Sequence, residues 1–238
     1  DGSKFDRSNP AHAAQPYKDR DPRLYATVLF EGNKYRARPS DLTIYDPVGV
    51  GQFGTWEKWD NAKNVMYPVY GLDTRNSLAN SWNGNECGAT MLKFLNKSVD
   101  IQKSHQDLTI RWIRYGEVLL NYAEACIELG QDAEAQTYIN MIRQRAYMPD
   151  VMSTGTALRD DYRNERRIEM VYEDQRFFDV RRWMIGSEAY HDAHGVQIVY
   201  KMNPDHTTAT IPTVTPIVIR PGKWDKKAYF FPITRTEL

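Results

Sequence analysis

Tryptophans set among asparagines and aspartates are the residues of this chain whose chemistry is easiest to name. Trp56 and Trp59 stand three apart in WEKWDNAKN, beside Asp60, Asn61 and Asn64, and Trp82 lies in NSWNGN between Asn80 and Asn83. A sugar presents apolar C–H faces and hydroxyl edges. A site for one therefore needs flat aromatic platforms beside amide, carboxylate or guanidinium partners. Tyr45 and Tyr70 fall in the same stretch, so the expected ligand contacts are Trp56, Trp59, Trp82, Tyr45, Tyr70 and Asn83. The competing role for these rings is to form small cores that hold a long loop down. From 39 to 86 no apolar period lasts more than a few residues, and structureless loops of that length are often functional.

A second constellation combines glutamates with arginines. Leu158, Tyr162, Glu165, Glu169 and Tyr172 follow one another at steps of four, three, four and three, which lines them along one helical face with Ile168 and Val171 beside it. Glu165 and Glu169 would lie about 6 Å apart, near the separation retaining glycosidases use. The alternative is a partly buried network with Arg163, Arg166, Arg167, Arg176, Arg181 and Arg182. Crowding arginines depress a carboxyl pKa, whereas a general acid needs a raised one. The network is therefore the expectation, and a glycoside hydrolase the rival.

Other candidates are weaker. His191 and His194 have a spacing of three without a third ligand, which is poor support for a metal site. In FFDVRRW, Phe177, Phe178 and Trp183 are expected to anchor a helix while Asp179 pairs with an arginine. The chain contains no nucleophile elbow, zincin motif, P-loop or dinucleotide fingerprint. No catalytic residue, metal or cofactor is expected.

The elements that would position these residues centre on 109 to 185. Trp112, Tyr115, Leu119, Tyr122, Ala123 and Cys126 recur at helical steps, and Gly130 suits a left-handed C-terminal cap. Asp132 is the expected N-cap of a second helix with Ala135, Tyr138, Ile139, Ile142 and Ala146 on its inner face. The hairpin partly fits a tetratricopeptide unit, through Ala123, Leu129-Gly130, Ala135 and Pro149. One long helix or two abutting ones follow. Asp21-Pro22 opens a further helical turn. Segments 196–201, 214–219 and 228–233 look β-like, and Pro204, Pro212, Pro216, Pro221 and Pro232 limit them to short strands. The expected fold is mainly α: a tetratricopeptide-like hairpin plus long helix, decorated by long irregular loops and a few short strands. It divides into a loop-rich aromatic stretch at 1–110, a helical core at 111–186 and an irregular tail at 187–238.

The run RYGEVLLNYAEACIELGQDAEAQTYINMIRQRAYMP, followed by NERRIEMVYEDQRFFDVRRW, closely resembles the C-terminal region of the SusD/RagB family. DPRLYATVLFEG, CGATMLKFLNKS and AYFFPITRTEL resemble further pieces of that family in the same order. The resemblance implies a non-catalytic, cell-surface lipoprotein of Bacteroidetes. Such a protein captures glycan for a SusC-like TonB-dependent transporter and is held to the outer membrane by an N-terminal lipid. It also implies that the chain, which begins DGSKFD and stops at Leu238, is part of a longer protein whose lipid-bearing cysteine lies upstream. A tetratricopeptide-type scaffold for protein partners remains the other reading of the helices.

Composition narrows the partners. Lysine and arginine total 31, and aspartate and glutamate total 31, with basic residues dispersed among acids, so neither nucleic acid nor electrostatic membrane attachment is expected. Cys87 and Cys126 make no metal-binding spacing and read as two free thiols.

Overall fold

The computed structural model describes residues 5–6, 8–39, 41–78, 84–99, 105–107, 109 and 111–230. Helices α3 (Tyr115–Glu128), α4 (Asp132–Arg145) and α5 (Gly155–Glu169) form the first layer. Their shared core joins Leu119, Leu120, Ala123, Cys126 and Ile127 of α3 to Ala135, Ile139 and Ile142 of α4 and Leu158 and Tyr162 of α5. Of the expected stripe, Leu119, Ala123 and Cys126 are buried, whereas Trp112, Tyr115 and Tyr122 are exposed. Small Ala123 and Cys126 share the core with small Ala135, and side chains of that size let helices approach closely. Tyr122 there donates to Glu134 and meets Tyr138 edge-on at 4.7 Å.

Gly130, at φ +73°, closes α3 as expected, with Gln131 N–H donating back to Cys126 O at 2.8 Å. Asp132 is the first residue of α4 rather than its cap; its carboxylate accepts from Gly155 N at 2.7 Å and ties the start of α4 to that of α5. Two helices follow rather than one. Tyr172 and Asp174 adopt left-handed backbone after α5, and α6 runs Gln175–Arg182, then α7 Gly186–Ala189. Toward the N-terminus lie α1 (Pro10–Ala14) and α2 (Pro22–Thr27), the latter capped by Asp21 as its sequence suggests.

The mainly-α expectation holds only in part, because among the described residues two sheets accompany the helices. β1 (Val28–Phe30) pairs with β4 (Ala89–Met91). β2 (Thr55–Asp60), β3 (Val65–Tyr70), β5 (Ala193–Tyr200) and β6 (Thr213–Arg220) form a four-stranded sheet in the order β3-β2-β5-β6, with only β2 and β5 parallel. The expected irregular stretch at 39–86 thus contains a hairpin, and two of the expected short strands are eight residues long. Pro68 and Pro216 are tolerated because β3 and β6 are the edges. The third β-like segment is instead a 3-10 turn at Lys226–Tyr229, and residues 231–238 lie outside the described residues. A second core of Leu29, Phe53, Leu92 and Ile198 joins the sheets.

Ion pairs bind the layers together, and they make the fold acid-sensitive. Burial alone would push the Glu124 carboxyl up, but donors from Arg182, Trp183 and Tyr162 hold it below its usual range. Glu173 is likewise raised by burial and brought below it by Arg114 and Lys93. A depressed folded-state pKa contributes stability above the unfolded value, about 4.3 for glutamate, and loses it as pH falls through the folded value. Urea unfolding should therefore show stability falling as pH drops below about 4, and Glu124→Gln should flatten that decline.

Candidate functional site

The β2–β3 hairpin carries most of the expected ligand residues, and its geometry decides which act together. Asp60 accepts from the Ala62 and Lys63 amides and Asn64 takes φ +54°, so residues 61–64 make a compact turn without glycine. Successive side chains on a strand point to opposite faces. Trp56 and Trp59, three apart, therefore lie on opposite faces of the sheet and cannot grip one ligand between them. The register pairs Thr55 with Tyr70, Glu57 with Pro68 and Trp59 with Met66. Trp59 and Tyr70 thus share a face with Glu57 between them, about 13 Å apart along the strand at ~3.3 Å per residue.

Each tryptophan has a ring partner from the far end of the chain. Trp56 stacks on Tyr200 of β5, with centroids 4.7 Å apart and planes within 4°. Trp59 stacks on His206 at 3.9 Å, in the loop after β5. That loop is fastened to β2: Met202 N donates to the Glu57 carboxylate at 2.8 Å and Thr208 Oγ1 to Glu57 O at 2.7 Å. Both indoles stay only half buried, and all six residues of β3 are exposed. The hairpin presents Tyr67 and Tyr70 on opposite faces, with no other strand beyond β3 among the described residues.

Glu31 anchors the base of this hairpin. Its Oε2 accepts from the amides of Phe53 and Gly54 at 2.6 and 2.9 Å, and its Oε1 accepts from the Tyr200 hydroxyl at 2.9 Å. Burial pushes this carboxyl above its ordinary value, with the three donors pulling the other way. Tyr200 is raised too, by burial and by the adjacent Glu31 charge.

The remaining expected contacts are scattered. Tyr45 is exposed in the turn at 41–45, before Asp46, whose carboxylate accepts from Arg38 at 2.8 Å. Trp82 and Asn83 lie outside the described residues. Sequence reasoning missed Tyr200 and His206. The β-like segment 196–201 includes Tyr200, but nothing local linked it to Trp56 across more than a hundred residues.

The carboxylate pair forms a buried ion cluster. Glu165 accepts from Arg23 at 2.5 Å and Arg143 at 2.8 Å; Glu169 accepts from Arg23 at 3.0 Å and from Arg114 and Arg145, both at 2.7 Å. The two side chains are 0% and 4% exposed. Every carboxylate oxygen is engaged by a guanidinium and closed to substrate, which is the network arrangement. Its partners, however, come largely from other elements rather than from the neighbouring arginines. Arg166 pairs instead with buried Asp179 at 2.7 Å. Trp183 is anchored through Nε1 to Glu124 at 2.6 Å, but Phe177 and Phe178, expected as anchors, are exposed. Cys87 is exposed, Cys126 is buried, and both are free. Among the described residues no cluster of three metal-ligating side chains occurs, and no helix is long and apolar enough to cross a membrane.

Comparison with known proteins follows this geometry. The family model described as "SusD family" matches residues 1–238. Two curated relatives from Formosa agariphila are similar: SusD-like protein P2, 38% identical over 89 residues (33% of this chain, 17% of the relative), and SusD-like protein P38, 35% identical over 95 residues (35% and 19%). The crystal structure of a SusD-like protein from Bacteroides fragilis superposes with a TM-score of 0.66 at 29% identity, covering 93% of this chain and 37% of that one. The matches thus span under a fifth of the curated relatives and little more than a third of that structure. The chain belongs to the SusD family.

Proposed function

From that membership, we propose that this chain is part of a cell-surface carbohydrate-binding protein. It captures oligosaccharide or polysaccharide and delivers it, without catalysis, to a SusC-like TonB-dependent transporter, and an N-terminal lipid holds the protein to the outer membrane. The observation that carries the reading is the hairpin face on which Trp59, backed by His206, and exposed Tyr70 flank Glu57. Two aromatic platforms with a carboxylate between them suit an extended sugar chain: rings take the C–H faces and the carboxylate takes hydroxyls. Their separation favours an oligosaccharide over a single sugar. Trp56 serves on the opposite face, where its stack on Tyr200 stiffens the sheet. Trp82, Asn83 and Tyr45 complete the set of contacts proposed from the sequence.

Affinity electrophoresis through polysaccharide-containing gels tests this. Trp59→Ala should weaken binding about tenfold, equivalent to ~1.4 kcal/mol, with a smaller loss for Tyr70→Ala. Trp56→Ala should leave affinity within about twofold. Equal losses for Trp56 and Trp59 would contradict the assignment to one face.

A second reading, a helical scaffold for protein partners, draws on the exposed Tyr115 and Val118 of α3 and the exposed Trp112, Ile113 and Leu129 that flank it. Glycan retention by the isolated chain, with no transporter present, would count against that reading as the primary role.

A further inference from the structure

A second aromatic concavity lies away from the hairpin, between α7 and the outer ends of β5 and β6. It has a volume of about 480 Å³ and is lined by Tyr190, Trp224, His191, His194, Lys223 and Ser187. Its lining residue farthest along β5, His194, is six steps from Tyr200, about 20 Å at ~3.3 Å per residue. The two sites are therefore distinct.

The platform here is rigid. The Trp224 ring lies against Gly186, where an added Cβ would stand 2.0 Å from Cε2, and meets Tyr229 edge-on at 4.9 Å. Tyr229 in turn accepts from Gly186 N at 2.8 Å and donates to Met184 O at 2.9 Å. Tyr190 sits 5.8 Å from Trp224 at an inclination of 56°, so the two rings form an open corner rather than a closed stack. Trp224 Nε1 is buried and has no acceptor among the described residues.

The polar groups at this corner are mostly cationic or neutral. Lys223, His191 and His194 line the concavity, and the Arg181 guanidinium stands 5.4 Å from the Trp224 ring centre. The one lining carboxylate, Asp192, is committed through Oδ1 to the Gly222 amide at 2.8 Å, which fixes the 222–224 segment to the start of β5. A flat aromatic corner with a basic rim suits a ring that carries an anion.

Resting on the carbohydrate reading above, we propose that this concavity is a second subsite for a sugar unit bearing a carboxylate or sulfate. Its ring would lie on Tyr190 and Trp224, and its anionic group against Lys223 and the two imidazoles. Carboxylate and sulfate share this chemistry, so two probes separate them: trigalacturonate and a sulfated carrageenan tetrasaccharide.

Isothermal titration of the chain with each probe tests the proposal. At least one probe should bind, and Tyr190→Ala should weaken it about tenfold and Lys223→Ala about threefold. Tyr190 and Lys223 are exposed, so both variants should keep the fold, as circular dichroism would confirm. Trp224→Ala is avoided because that ring packs on Gly186. Binding indifferent to both substitutions overturns the subsite. So does absence of binding by either acidic probe while neutral oligosaccharides still bind at Trp59, an outcome that leaves the hairpin reading standing. If nothing binds at either place, both fall.

Discussion

Glu165→Ala is expected to destabilise the fold by about 3–5 kcal/mol, the range measured when one partner of a buried ion pair is removed. Glu165 is fully buried, and its two oxygens are held by Arg23 of α2 and Arg143 of α4. Removing it leaves two guanidinium groups facing a cavity, and only Arg23 retains other carboxylates, Asp21 and Glu169. The loss should therefore exceed that of an exposed pair such as Arg159–Glu128, which is worth ~1 kcal/mol or less. Glu165→Gln should also be costly, because the new amide NH₂ must face one of the two arginines as donor against donor. Urea titration monitored by circular dichroism would measure both. If either variant kept wild-type stability while abolishing turnover of a glycoside, the carboxylates would be an acid–base pair and the network account would be wrong.

Glu31→Leu should cost about 2–4 kcal/mol and should also disturb the hairpin. The substitution leaves the Phe53 and Gly54 amides and the Tyr200 hydroxyl without their acceptor, and each unmet buried donor costs ~1–3 kcal/mol. Part of that loss is recovered, because burial already opposes the Glu31 charge. Glu31→Gln separates the contributions. An amide oxygen at the Oε2 position keeps both backbone bonds, and its NH₂ can donate to a rotated Tyr200 hydroxyl, so the change should stay within about 1 kcal/mol. Because Tyr200 underlies Trp56, the leucine variant should also alter tryptophan fluorescence before global unfolding. A leucine variant no weaker than the glutamine one would show that the acceptor is dispensable.

The helical half was legible because burial there is one-sided and repeats at 3.6 residues. Leu158, Tyr162, Glu165 and Glu169 are all buried as their spacing implies. Where α3 is apolar around much of its circumference, the period could not fix which residues faced in: Leu119, Ala123 and Cys126 do, and the bulkier Tyr115 and Tyr122 do not. The hairpin was illegible for a related reason. VMYPVY is apolar at every position and exposed throughout, so it carries no alternation, and it contains a proline. In TWEKWD the tryptophans fall on opposite faces, which breaks the period of two. The turn between them holds asparagines but no Asn-Gly pair. The aromatic composition singled out this segment, while only strand geometry shows that Trp59 shares a face with Tyr70 and that Trp56 stacks on Tyr200. The arginine partners of Glu165 and Glu169 were beyond local reading, since Arg23 lies more than a hundred residues away in sequence.

The central claim, that sugar is held on the Trp59 face of the hairpin, is tested most directly by indole ¹H–¹⁵N spectra of the chain during oligosaccharide titration. The tryptophan side-chain signals would be assigned by single substitution. The account predicts a saturable shift of the Trp59 indole, with Trp56 and Trp183 nearly unmoved. Saturable binding that leaves Trp59 in place, or no shift of any indole with the family's usual classes of polysaccharide fragment, would contradict it.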